Sequence, residues 1–120
     1  MATALTASRD VNGATPYSNT ALLAVKAVVT AGKTQLYGYN ISNPNGSVAY
    51  VQVFDLLTAD VTVGSTTPTY TLSVPPSGGL DGVFPLGIMH RYGLIIAATT
   101  TATGSTALGS ALVVSLFYRG

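Results

Sequence analysis

Charge is the property that this 120-residue sequence has least of. Lys and Arg together number five, Asp and Glu together number four, and all four acids are Asp, so only 8% of the chain is charged. Soluble domains carry about 25% charged residues, which means that Thr, Ser, Asn and Gly must supply the polar surface here. Because a surface with so few charges repels its neighbours weakly, we expect a chain that works inside an assembly.

Cysteine is absent, which excludes disulfides, thiolate metal sites and cysteine nucleophiles. The net charge of +1 gives no strong electrostatic footprint for nucleic acid or for an anionic membrane, and we expect neither as a partner. The longest apolar run, residues 21–31, contains Lys26 and is far shorter than the span of about 20 residues that crosses a bilayer. With no signal-peptide pattern at the start, we expect a soluble cytosolic product.

The first 19 residues differ from the rest of the chain. They hold Arg9, Asp10, an Asn12-Gly13 step and Pro16, with no sustained hydrophobic period. We predict an N-terminal arm over residues 1–19, either disordered or laid on a partner. Residues 20–120 have the length of one domain.

Short apolar runs with period two, separated by turn residues, predict strands through the rest of the chain. The runs are 22–30, 36–41, 48–54, 69–74, 83–89 (a short edge strand or irregular crossing), 94–98 (covered on both faces) and 112–118. Seven to eight such strands without a convincing helix predict an all-β antiparallel two-sheet sandwich or jelly roll.

The clearest local pattern lies in residues 34–55. Tyr37, Tyr39 and Ile41 alternate with small or polar residues, so we expect them on one face. Pro44 and the Asn45-Gly46 step that follow are turn formers, and the whole segment predicts a β-hairpin.

Groups that could perform a reaction are sparse. A catalytic histidine needs a nucleophile or a carboxylate placed beside it, and the Asp residues are scattered, so we interpret His90 as a loop histidine on the surface or at a subunit contact. Asp55 and Asp60 flank one loop without a metal-ligand pattern, and we interpret them as solvated turn residues. We expect no enzyme, no cofactor and no metal site.

The seven tyrosines allow two interpretations. Tyr37, Tyr39 and Tyr50 lie close together in the sequence and could stack on sugar rings, but alternating tyrosines in strands are ordinary cross-strand packing. We favour packing.

A series of segments carries a family resemblance. In order they are 37–44, 50–55, the Val-Gly-Ser-Thr-Thr-Pro loop at 63–68, 72–75 with Gly78-Gly79, 84–88, 93–94, 97–100 and 116–119. The series resembles small virion proteins of tailed bacteriophages, of the minor structural or head-decoration (cement) type. The His90-Arg91 loop is more basic than the family pattern.

The resemblance implies a non-enzymatic protein on the capsid surface of a virion, made and assembled in the host cytoplasm. Its partner would be the major capsid protein, bound across capsomer joints. Since such joints lie at three-fold positions and closed symmetry is usual for oligomers, we expect a homotrimer. Candidate partner-binding residues are Arg9, Asp10, Tyr17, Tyr37, Tyr39, His90 and Arg91.

The alternative is a tail or baseplate component that binds a glycan on the host surface. That function would need an exposed tyrosine cluster, drawn from Tyr37, Tyr39, Tyr50 and Tyr92, beside polar groups.

Overall fold

The computed structural model of the chain describes residues 14–120, which form two four-stranded antiparallel sheets. The strands are β1 (Thr15–Leu22), β2 (Ala27–Thr30), β3 (Thr34–Asn43), β4 (Ala49–Phe54), β5 (Tyr70–Val74), β6 (Gly78–His90), β7 (Leu94–Thr99) and β8 (Leu112–Arg119). Sheet A has the strand order β1-β8-β3-β6, and sheet B has the order β2-β7-β4-β5. The predicted all-β antiparallel two-sheet sandwich is confirmed. The helical element in this part of the chain is a 3-10 turn at Thr58–Asp60, and no helix there is long and apolar enough to cross a bilayer.

The core lies between the sheets and is built from alternate residues of each strand. On β8 the inward residues are Leu112, Val114 and Leu116, all buried. A slip of one residue would turn all three outward and would turn Val113, Ser115 and Phe117 inward, so a serine would enter the core and two large apolar side chains would have to fit spaces shaped for others. The fit of Leu112, Val114 and Leu116 therefore favours the observed register.

The strands predicted at 69–74, 94–98 and 112–118 are confirmed as β5, β7 and β8. All six residues of β7 are buried, as its uninterrupted apolar run predicted. Ile95 and Ala97, on the outward side of sheet B, pack against Phe54 and Val61. Val61 belongs to the connection after β4, so that connection covers β7 from outside.

The hairpin predicted over residues 34–55 is wrong, because β3 lies in sheet A and β4 lies in sheet B. The intervening residues cross the sandwich instead. The buried Asn43 amide donates to the carbonyls of Ser47 and Pro75, at 2.9 and 3.1 Å, and Asn45 exchanges hydrogen bonds with the backbone of Ser110. Both strands have one buried face whether they pair or pack, so the alternation alone does not separate a hairpin from a crossing.

The start of the chain also differs from the prediction. Strand β1 begins at Thr15 and pairs with β8, so residues 15–19 belong to sheet A, while residues 1–13, with Arg9 and Asp10, lie outside the described residues. The single strand predicted at 22–30 is divided between β1 and β2. The segment between them leads to sheet B, where the Lys26 ammonium donates to the carbonyls of Thr58 and Val61, both at 2.7 Å.

A bulge divides the central pairing of sheet A. Leu36 pairs with Ile88 and Gly38 pairs with Val83, so Tyr37 stands alone opposite residues 84–87 of β6. At this bulge Tyr37 has no direct partner and turns away from the face that Tyr39 shares with the core. The prediction that both tyrosines lie on one face is therefore wrong. The strand predicted at 83–89 is an edge strand, and it extends over 13 residues.

Gly87 is expected to be essential to this bulge. Its φ is 76°, and an added Cβ would lie 3.1 Å from the Tyr37 ring. Replacing it by alanine should cost about 1–2 kcal/mol, because L-residues disfavour that conformation. Gly32→Ala is the matched control, since a Cβ at Gly32 meets nothing within 4 Å, and it should change stability by less than about 0.5 kcal/mol. Urea unfolding measures both, and equal effects would contradict this account.

Candidate interaction surface

The outward side of sheet B is covered by two connections of the chain itself. Over β7 and β4 it holds a small apolar cluster of Phe54, Val61, Ile95 and Ala97. Nearby, the buried Gln52 amide donates to the Thr99 hydroxyl at 2.8 Å and to the Gly104 carbonyl at 2.9 Å, which fastens the connection after β7. These contacts leave the centre of sheet B without a free outer face.

The outward side of sheet A, here called the open face, has no such cover in the described part of the chain. The pairing register places Pro16, Phe117, Gly38 and Val83 in one row across all four strands. Pro16, Phe117 and Val83 are exposed, Val83 to 77%. The open face therefore presents an apolar row where a solvated sheet normally presents polar side chains.

The rows on either side of this apolar row are polar and include two charges, Asp81 and Arg119. One row is Ser18, Ser115, Asn40 and Asp81, and the other is Met89, Gln35 and Arg119. Leu86, in the bulge of β6, is 88% exposed. A sheet face on which exposed apolar side chains stand among polar ones is typical of a surface that a protein partner covers.

The tyrosines among the predicted site residues lie on opposite sides of sheet A. Tyr17 and Tyr39 pack against the core, and the Tyr39 ring lies 5.6 Å from that of Phe84. Tyr37 lies on the open face, where its hydroxyl donates to the Gln35 side chain at 3.0 Å. Sequence reasoning missed Phe117 and Val83. The signal was present for Phe117, because the alternation that turns Leu116 inward turns its neighbour outward.

The four tyrosines named for glycan binding do not all share one exposed surface. Tyr39 faces the core of sheet A, Tyr50 belongs to strand β4 of sheet B, and Tyr37 is half-buried in the bulge. Tyr92 is exposed in the turn between β6 and β7. A single cluster of all four is therefore not formed.

His90 is completely buried, and the prediction of a surface loop histidine is wrong. Its Nδ1 lies 3.0 Å from the Gly93 carbonyl, which only accepts, so the neutral ring carries its hydrogen there. Nε2 then accepts from the Tyr70 hydroxyl at 2.9 Å. As the last residue of β6, His90 points inward next to the outward Met89, and it connects the two sheets.

Asp55 organises the turn that follows His90. Its carboxylate accepts backbone hydrogen bonds from Arg91 at 3.0 Å, Tyr92 at 2.8 Å and Gly93 at 3.4 Å. Partial burial raises the pKa of Asp55, but these three hydrogen bonds outweigh it and hold the pKa below its ordinary value of 3.8. Asp55 is thus a fixed acceptor that positions Arg91 and Tyr92, and its interpretation as a solvated turn residue is wrong.

Neither a metal site in the described residues nor a known relative supplies a function for this surface. Within residues 14–120 no three His, Cys, Asp or Glu side chains lie together as a metal site would require. No protein-family model, curated protein or solved structure matches the chain.

The depressed pKa of Asp55 predicts an acid-sensitive turn. Because the folded pKa lies below the unfolded one, the stabilisation is complete above the unfolded value and is lost as pH falls through the folded value. Asp55→Asn should lower the free energy of unfolding by about 1–2 kcal/mol at neutral pH and should flatten its decline in acid. Urea titrations between neutral and acidic pH measure this. The exposed Asp60→Asn should keep the wild-type acid dependence, and the same flattening in that control would refute the assignment.

Proposed function

We propose that this chain is a non-enzymatic virion structural protein of a tailed bacteriophage. It acts as a decoration (cement) protein that binds the outside of the head and stabilises the shell across capsomer joints. The observation that carries the proposal is the contrast between the two faces: sheet B is covered by the chain's own connections, whereas the open face exposes Val83, Leu86 and Phe117. The resemblance of segments 37–119 supplies the phage context.

The mechanism is adhesion. Burying apolar surface contributes roughly 25 cal/mol per Å², and a specific protein interface needs about 1,000 Å² or more in total. A cement protein adds such an area at each joint. The pressure of packaged DNA must then break these added contacts wherever a joint is to open. Interfaces that are modest singly become strong when they are repeated over the whole shell.

The proposed partners are the major capsid protein and two further copies of this chain. The open face is assigned to the capsid protein, and the three-fold symmetry of capsomer joints favours a homotrimer. Residues 1–13, with Arg9 and Asp10, lie outside the described residues and precede the edge strand β1 of sheet A in the sequence. They remain a proposed contact segment. The protein would be made in the host cytoplasm and act on the capsid surface.

Copy number on purified virions separates this function from the tail or baseplate alternative. Decoration of the head predicts a number that scales with the capsomer joints, in the hundreds, because every joint offers a site. A glycan-binding tail component would be present in a few copies. Quantitative mass spectrometry against the major capsid protein measures the ratio. A low ratio would contradict the cement function, and absence from virions would refute any virion role.

Two valines test the assignment of the open face. Val83 lies in the apolar row and is 77% exposed, and Val25 lies between β1 and β2 and is 79% exposed. Val83→Asp should weaken binding to undecorated heads at least about tenfold, since a carboxylate in an apolar interface costs more than 1.4 kcal/mol. Val25→Asp should bind as the wild type does. Co-sedimentation with heads measures both, and equal losses would refute the open face as the contact.

A further inference from the structure

A basic groove lies at one end of the open face. Lys33, in the turn between β2 and β3, and Arg119, at the end of β8, line a groove of about 610 Å³ together with Gln35 and Met89. An adjoining hollow of about 470 Å³ lies between Lys33, Met89, Arg91 and Tyr92. Since Lys33 and Met89 border both, the two hollows form one continuous concave surface, called the basic groove below.

The register of sheet A explains why these residues meet. Gln35 pairs with Met89 on one side and with Arg119 on the other, so the three stand side by side on neighbouring strands. Lys33 precedes β3 by one residue, and Asp55 holds the turn that carries Arg91. Two turns and the end of strand β8 thus bring one cation each to the same place.

The charge of the basic groove is unbalanced. No side chain that lines it is acidic, and the one anion at its border is the terminal carboxylate of Gly120 in this chain. Three cations therefore face one carboxylate, and the other basic residue in the described part of the chain, Lys26, is occupied by two backbone carbonyls elsewhere. The carboxylate of Asp55, which holds the turn that carries Arg91, accepts backbone N–H groups of that turn. In a chain with so few charges, this concentration gives the groove a positive field.

The centre of the basic groove is apolar. Met89 is 45% exposed and Tyr92 is 51% exposed, and both stand among the cations. A methionine adapts its shape to different apolar side chains. A row of phosphates would leave such a centre unused, and nucleic-acid binding generally draws on a larger basic surface than three side chains. A peptide that alternates carboxylates with an apolar side chain uses both properties.

We propose that the basic groove binds an acidic segment of a partner protein, with carboxylates on Lys33, Arg91 and Arg119 and an apolar side chain on Met89. The identification of that partner as the major capsid protein rests on the proposed function, whereas the groove and its ligand class do not. An acidic segment seated here would continue directly onto the apolar row of the open face.

The test is an NMR titration of the isotope-labelled full chain with a short peptide of alternating glutamate and leucine. Amide resonances of residues 33–35, 89–92 and 119 should shift, and those around Asn45 and Ser110, outside the groove lining, should not. A peptide with glutamine in place of glutamate should bind about tenfold more weakly, as expected for the loss of three rim ion pairs. Added salt should weaken the acidic peptide selectively.

Two triple variants supply the control. Neutralisation by Lys33→Gln, Arg91→Gln and Arg119→Gln should lower affinity about tenfold, whereas Lys33→Arg, Arg91→Lys and Arg119→Lys keep the charge and should retain binding. Shifts of equal size with both peptides, or no shift at the groove, would overturn the proposal. Tighter binding of a single-stranded oligonucleotide or a sulfated glycan at the same residues would overturn the ligand class.

Binding to undecorated phage heads distinguishes the proposal for the basic groove from the proposed cement function. If the neutralised variant binds heads as tightly as the wild type, the groove is not the capsid contact, although decoration stands. If the acidic peptide binds at the groove and the wild type does not bind heads, the groove stands and the cement function fails.

Discussion

Phe54, Ile95 and Ala97 pack against Val61 on the outward side of sheet B, and the rest of the molecule depends on this contact. It allows β7 to be apolar along its whole length, because both of its faces leave water. The same contact holds the long connection after β4 over the outward side of sheet B. Within residues 14–120 no connection lies over the outward side of sheet A in the same way, so the two faces differ in the described part of the chain.

The buried polar groups hold the end of the sandwich that carries the basic groove. His90 links the Tyr70 hydroxyl to the Gly93 carbonyl, and Asp55 gathers the backbone N–H groups of the turn. Such hydrogen bonds contribute modestly to stability but are costly to leave unmade once buried. They therefore act mainly on shape, since they fix where Arg91 and Tyr92 stand relative to the end of the open face.

The sequence predicted strands well where apolar alternation was strict, as in β5 and β8, or where the apolar run was continuous, as in β7, because burial of one or both faces determines these patterns directly. It failed where the pattern has two solutions. Residues 42–48 could close a hairpin or cross between sheets. The bulge at Tyr37 shifts the alternation by one, and Gly87 on the neighbouring strand is its mark in the sequence, but a glycine there does not tell which residue of β3 stands unpaired. His90 was interpreted as a loop histidine because no catalytic partner accompanies it in the sequence, although it continues the inward positions of β6.

The candidate surface was harder to predict than the fold. An outward alternation identifies Phe117 once β8 is known, but its row with Val83 and Pro16 depends on which strands pair. The meeting of Lys33, Arg91 and Arg119 depends on the same pairing, since these residues are far apart in the chain. Local sequence patterns carry no information on strand order. The three cations line one groove only because the strands pair as they do.

Hydroxyl-radical footprinting of the chain, free and bound to phage heads, tests most directly the claim that the open face is the adhesive surface. The account predicts that Met89, Leu86 and Phe117 lose reactivity on binding, whereas Leu57, exposed in the connection over sheet B, keeps it. Protection of Leu57 with unchanged reactivity at Met89, Leu86 and Phe117 would contradict it.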